Sequence, residues 1–119
     1  MYVLIAENDQ KTILTLKNML VDLGYDVCDV VSNDEEAIKK VDELNPDLVL
    51  INIDLNGDMA GVEVGKIIRE HYKVPVIFIT VFTKNCLTMS LQLPENAITV
   101  SKPVKQDHLK YAISRAITN

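Results

Sequence analysis

Four apolar runs in this chain give way abruptly to polar side chains of complementary kinds. Glu7-Asn8-Asp9 follows Tyr2–Ala6, and Asn52 and Asp54 close the run that starts at Leu48. Thr80 falls near the end of Val76–Val81, and Lys102 follows Ile98–Ser101. Oxygen ligands, a hydroxyl and an ammonium suit a hard cation beside an anionic oxygen cluster. Mg²⁺ takes one or two carboxylates and keeps several waters. Thr80 would hydrogen-bond an acyl phosphate there and Lys102 would neutralise it. The residue at the centre of the set, at position 52, is an asparagine.

The elements that must bring these residues together follow from hydrophobic period. Five short apolar or alternating runs read as strands: Tyr2–Ala6, Tyr25–Val31, Asp47–Ile53, Val76–Val81 and Ile98–Ser101. Helical spacing separates them. Ile13, Leu16, Leu20 and Leu23 share one face, with Gly24 placed to close that helix. Ala37, Ile38, Val41 and Leu44 mark a second helix, opened by Ser32 with Glu35 as a capping box and stopped by Pro46. Val64, Ile67, Ile68 and His71 trace a third. Residues 84–93 read as a weak fourth helix, because Thr88 and Ser90 are poor formers. Leu109, Ala112, Ile113, Ala116 and Ile117 give the clearest stripe and predict a fifth.

Strict alternation of strand and helix implies parallel strands, right-handed crossovers and helices on both faces. The expectation is an α/β, flavodoxin-like three-layer sandwich: five parallel strands in the order 2-1-3-4-5 with five helices. With no repeats or linker-like tracts, residues 1–119 are expected to form one domain. Ligands of such sheets bind outside the carboxyl ends of the strands, which is where the polar residues fall.

Composition narrows the function. Seventeen acidic against twelve basic residues leave a net charge of −5, and the basic residues do not cluster. That balance opposes contact with a phosphate backbone, so direct nucleic-acid binding is not expected. No apolar run approaches the roughly 18 residues of a membrane span, and no basic region precedes the first strand as in a signal peptide. A cytoplasmic protein is expected. Cys28 and Cys86 lack CxxC spacing and read as reduced, buried small hydrophobes. His71 and His108 lie on helices far from any strand end, as structural or solvent-facing residues. Asn56-Gly57 is a turn signal.

The stretches Ile5-Ala6-Glu7-Asn8-Asp9, Pro46 through Gly57, Val74 through Thr80, and Ser101-Lys102-Pro103 together resemble the receiver domain of two-component response regulators, the CheY-like family. The resemblance covers essentially the whole chain, and its motifs are specific in combination rather than singly. It implies that the family's acidic pair falls on Glu7 and Asn8, its phosphoacceptor on Asn52, its hydroxyl on Thr80 and its lysine on Lys102. It also implies a metal site completed by Asn52 and the backbone carbonyl of Asp54, an aromatic switch position occupied by Thr99, and a Lys102–Pro103 bond that is often cis.

Three departures matter. An amide offers no carboxylate oxygen to phosphorylate, so Asn52 cannot form the acyl phosphate. Asn8 removes a charge from the metal site, so Mg²⁺ binding is expected to be weakened. Thr99 has no ring to swing inward. Asp54 is a poor substitute acceptor, since two residues along a strand shift a side chain by about 6.6 Å. The leading expectation is an atypical phosphorelay signalling domain, not an enzyme, in which Lys102 pairs with Glu7. The alternatives are a conventional phospho-accepting receiver, either an engineered Asn52 variant or one using Asp54, and a flavodoxin-like enzyme, which lacks any nucleophile–base pair here. The expected partners are a sensor histidine kinase or a downstream output protein. A homodimer through the face of the fourth helix, fifth strand and fifth helix is the further expectation.

Overall fold

A computed structural model of the chain describes residues 1–55, 60–81, 93 and 96–118. Its elements run β1 (Tyr2–Ala6), α1 (Gln10–Asp22), β2 (Asp26–Val31), α2 (Asp34–Leu44), β3 (Leu48–Asn52), α3 (Gly61–His71), β4 (Val76–Thr80), β5 (Ile98–Ser101) and α4 (Gln106–Thr118). The strands form one parallel sheet in the order β2-β1-β3-β4-β5, as expected from the alternation. The four helices are the first, second, third and fifth of the five expected. Of the fourth, residues 84–92 lie outside the described residues.

Side chains of the central strands alternate between two cores because successive Cβ atoms point to opposite faces. Val3, Ile5, Leu48, Leu50, Ile77 and Ile79 pack with Leu16 and Leu20 of α1 and with Leu109, Ala112, Ile113 and Ala116 of α4. Leu4, Ala6, Val49, Ile51 and Phe78 pack with Ala37 and Val41 of α2 and with Val62, Val64 and Ile68 of α3. The molecule therefore has three layers, and β1, β3 and β4 are apolar up to their carboxyl ends because both of their faces are covered.

Several expected boundaries and faces shift. The N-cap of α2 is Asn33, whose side chain accepts from the Glu36 amide at 2.9 Å, so the cap lies one residue beyond the Ser32–Glu35 box. That helix ends on Asn45 in the left-handed conformation, before Pro46 is reached. On α3 the buried face is Val62, Val64, Gly65 and Ile68, while His71 is exposed and Ile67 half-buried. The period alone did not register the glycine, yet the aromatic ring of Phe78 lies where a Gly65 side chain would be. Ile117 is 46% exposed and falls off the α4 stripe. Gly24 closes α1 as expected, with φ +87° and its amide bonded to the Val21 carbonyl.

His108 is exposed like His71, and Cys28 is a half-buried free thiol donating to the Val3 carbonyl at 3.5 Å. Burial pushes that thiol's pKa up, so it is a weak nucleophile. Cys86 and Asn56-Gly57 lie outside the described residues. Among the described residues no helix is long and apolar enough to cross a membrane.

Candidate functional site

Register assembles the site. Ala6 pairs with Ile51, Asn52 with Ile79, and Thr80 with Ser101, so the carboxyl ends of β1, β3, β4 and β5 stand side by side. Asn52 and Thr80 end β3 and β4, and Glu7 and Lys102 follow β1 and β5. The Lys102 amide donates to the Thr80 carbonyl at 2.8 Å, which ties the ends of the neighbouring strands β4 and β5 together. The Lys102–Pro103 peptide bond is cis.

Glu7 is the hub. It is fully buried, and one carboxylate oxygen, Oε1, accepts three hydrogen bonds: from the Asn8 amide at 3.0 Å, the Asp9 amide at 3.1 Å and Asn52 Nδ2 at 2.8 Å. The other oxygen, Oε2, lies 3.1 Å from Lys102 Nζ, whose side chain is 19% exposed. That approach has ion-pair distance without hydrogen-bond alignment, and Oε2 has no hydrogen-bond partner among the described residues. A buried carboxylate is tolerable only when paired and hydrogen-bonded. Here an ammonium, a side-chain amide and two backbone amides at the start of α1 share that task.

Asn52 completes the network from the other side. Its Nδ2 donates to Glu7, and its Oδ1 accepts from the Asp54 amide at 2.9 Å. The chain then turns, with the Leu55 amide on the Asn52 carbonyl at 3.2 Å. Strand geometry therefore stops at Asn52, and the spacing of two strand residues does not describe Asp54. The turn leaves the Asp54 residue exposed. Thr80 is buried at the end of β4. Asn8 is half-buried beside Glu7, and Thr99 is exposed on β5.

Two features of the site were not read from the sequence. Gly61 opens α3 against the end of β3, where an added Cβ would stand 1.9 Å from the Asn52 carbonyl oxygen. Only glycine allows this approach, and a glycine at the start of a helix after a polar loop was the available signal. Asp9 precedes α1 and accepts from the Thr12 hydroxyl. That hydrogen bond, aided by the charge of Lys102, holds the Asp9 carboxyl below its ordinary pKa. The three-residue spacing of Asp9 and Thr12 carried that signal.

The donor set fits a hard cation poorly. Both Glu7 oxygens are engaged, one by an ammonium that occupies the approach a metal would need, and Asn52 Oδ1 is spent on the backbone. Among the described residues no three His, Cys, Asp or Glu side chains form a group able to hold a metal. The arrangement can stabilise charge and fix the loops after β1, β3 and β5.

Comparison with known proteins identifies the family. Residues 3–114 match the family described as response regulator receiver domain. The Phyllosphere-induced regulator PhyR of Methylorubrum extorquens is 30% identical over 116 residues, 97% of this chain and 43% of its own length. The DNA-binding response regulator MtrA of Mycolicibacterium smegmatis is 32% identical over 108 residues, 90% of this chain and 46% of that protein. The chain thus spans less than half the length of these relatives. Among solved structures, the signal receiver domain of a modulated diguanylate cyclase from Desulfovibrio desulfuricans G20 superposes with a TM-score of 0.86 at 34% identity, covering 98% of this chain and 93% of that one. The anti-anti-sigma factor PhyR of Bartonella quintana gives 0.82 at 30% identity, covering 98% and 47%. The family match spans nearly the whole chain, the fold superposes on solved receiver domains over 98% of it, and the chain belongs to the receiver-domain family of two-component response regulators.

Proposed function

We propose that this chain is an atypical receiver, residues 1–119 acting as one signalling unit, that works by protein–protein contact without accepting a phosphoryl group. The observation that carries this reading is the hydrogen bond from Asn52 Nδ2 to the buried Glu7 carboxylate at 2.8 Å. An amide at this position donates where an acceptor aspartate would have to repel, and so Asn52 ties down the group that would otherwise hold Mg²⁺. Lys102, within 3.1 Å of the same carboxylate, takes the place of the cation. Catalysis by this chain is not part of the reading, because the site holds no base–nucleophile pair.

Its partner is a sensor histidine kinase or a downstream regulatory protein, contacted in the cytoplasm. The Bartonella quintana relative is named an anti-anti-sigma factor, a role exercised on other proteins, and that supports a protein partner here. The MtrA relatives are named as DNA-binding, but this chain spans less than half of that protein and carries a net charge of −5. Nucleic-acid contact by this chain itself is therefore not proposed.

Intact-mass analysis after incubation with acetyl phosphate and Mg²⁺, for the chain and for Asn52→Asp, tests the reading. The chain as it stands gains no phosphoryl mass, and Asn52→Asp does. A phosphoryl group on the unaltered chain, mapped to Asp54 or any other aspartate, would restore the conventional phospho-accepting reading.

A further inference from the structure

The amino ends of β4 and β5, opposite the candidate site, border an open cavity of about 580 Å³ lined by Arg69, Arg115, Asn96 and the apolar side chains of Val74, Val76 and Ile98 among others. Two arginines line it, from the last turns of α3 and α4. Neither makes an ion pair among the described residues, although the chain has more acids than bases. Arg115 lies over the Tyr111 ring at 5.9 Å. Arg69 Nη1 is buried with no hydrogen-bond partner among the described residues. A last-turn position accounts for a cation through the helix dipole. It does not account for a buried guanidinium nitrogen that bonds to no carbonyl, because such donors are nearly always satisfied.

We propose that this cavity is a binding site for a small phosphomonoester, with Arg69 and Arg115 on the phosphate and the apolar lining on the organic part. The chemistry follows from the fork of donors on each arginine, which matches phosphate oxygens two at a time. The volume is that of a small-molecule pocket, and its lining is more polar than apolar, which suits a charged ligand. Asn96, in the left-handed conformation with φ 66°, adds a neutral amide at the rim. Because β4 is five residues long, this site lies roughly 13 Å along the same strand from Thr80. It is independent of the degenerate acceptor site and of the function proposed for that site.

The test is an amide-resonance titration of the isotope-labelled chain with adenosine 5′-monophosphate, inorganic phosphate and adenosine in separate arms. The nucleotide is expected to give saturable shifts at Val74, Val76, Ile98 and Arg115. Inorganic phosphate should shift the same amides more weakly, and adenosine should leave them unmoved. Arg69→Gln and Arg115→Gln should each weaken nucleotide binding about tenfold or more. Arg115 is exposed, so its variant keeps the proposal testable if Arg69→Gln folds poorly. The proposal is overturned if no arm saturates, if adenosine binds as well as the nucleotide, or if both variants bind unchanged. Shifts confined to Asn8, Asn52 and Lys102 would also overturn it, since phosphate would then be seeking the degenerate acceptor site.

Discussion

At the scale of single residues, the site is held together by one amide where a carboxylate would be expected. Replacing Asn52 by aspartate exchanges a donor for an acceptor 2.8 Å from Glu7 Oε1 and buries a second negative charge beside the first. The metal-free Asn52→Asp protein should lose roughly 1–3 kcal/mol of stability, the cost of an unmade buried hydrogen bond. Mg²⁺ should restore much of it, whereas the unaltered chain should bind Mg²⁺ no better than millimolar. Denaturant unfolding with and without Mg²⁺ reads both, and micromolar Mg²⁺ affinity in the unaltered chain would contradict the account. Asp9 offers a second check. Its folded pKa lies below the model-peptide value of 3.8, chiefly through the Thr12 hydroxyl. A depressed carboxylate pKa contributes stability that is complete above the unfolded value and is lost as pH falls through the folded one. Thr12→Ala should therefore move the Asp9 titration upward and shift acid unfolding to higher pH. A carboxyl-carbon titration showing Asp9 unmoved would remove Thr12 as the cause.

At the scale of elements, close approach between α3 and the sheet is what positions the end of β3. A methyl at Gly61 would stand 1.9 Å from a backbone carbonyl, and one at Gly65 would stand 2.3 Å from the Phe78 ring. A backbone oxygen fixed by sheet pairing yields less readily than a ring. Gly61→Ala should therefore cost more than Gly65→Ala, for which overpacking of about 1–3 kcal/mol is the expectation. Thermal unfolding of the two variants decides the order, and equal costs would mean that the end of β3 is freer than its hydrogen bonds indicate. These contacts also mark how far the sequence could be read. Strand order and the convergence of Glu7, Asn52, Thr80 and Lys102 were legible, because continuous apolar runs alternating with helical stripes leave few topologies. The Lys102–Glu7 pairing was legible too, once Asn52 removed the carboxylate that a lysine would otherwise face. The Gly65–Phe78 contact was not, since glycine adds nothing to a hydrophobic period. Nor was the turn after Asn52, because its side-chain bond to the Asp54 amide ends the strand one residue before the apolar run does. Ile117 was read onto the packed stripe because the period was extended one step past the last packed turn.

At the scale of the molecule, one face stands out as a surface for partners. The described part of the face expected to bind them is β5 with α4. There Thr99, His108 and Tyr111 are exposed, Tyr111 to 66%, and Arg115 lies over the Tyr111 ring. An exposed aromatic beside an arginine is the composition of an interface anchor. Concentration-dependent self-association through this face should be lost in Tyr111→Ala while the circular dichroism spectrum is retained. Analytical ultracentrifugation showing identical behaviour of both proteins would assign the face to a different partner or to none. The network at the other end of the sheet carries a consequence of another kind. Codons for asparagine and aspartate differ by a single first-base transition, A for G. Glu7, Thr80 and Lys102 remain at the ends of their strands. If the domain is silent as proposed, its distance from a phosphorylatable one is a single base, and what opposes the step is the buried repulsion it creates before a cation is bound. Silence at this locus would then hang on one nucleotide.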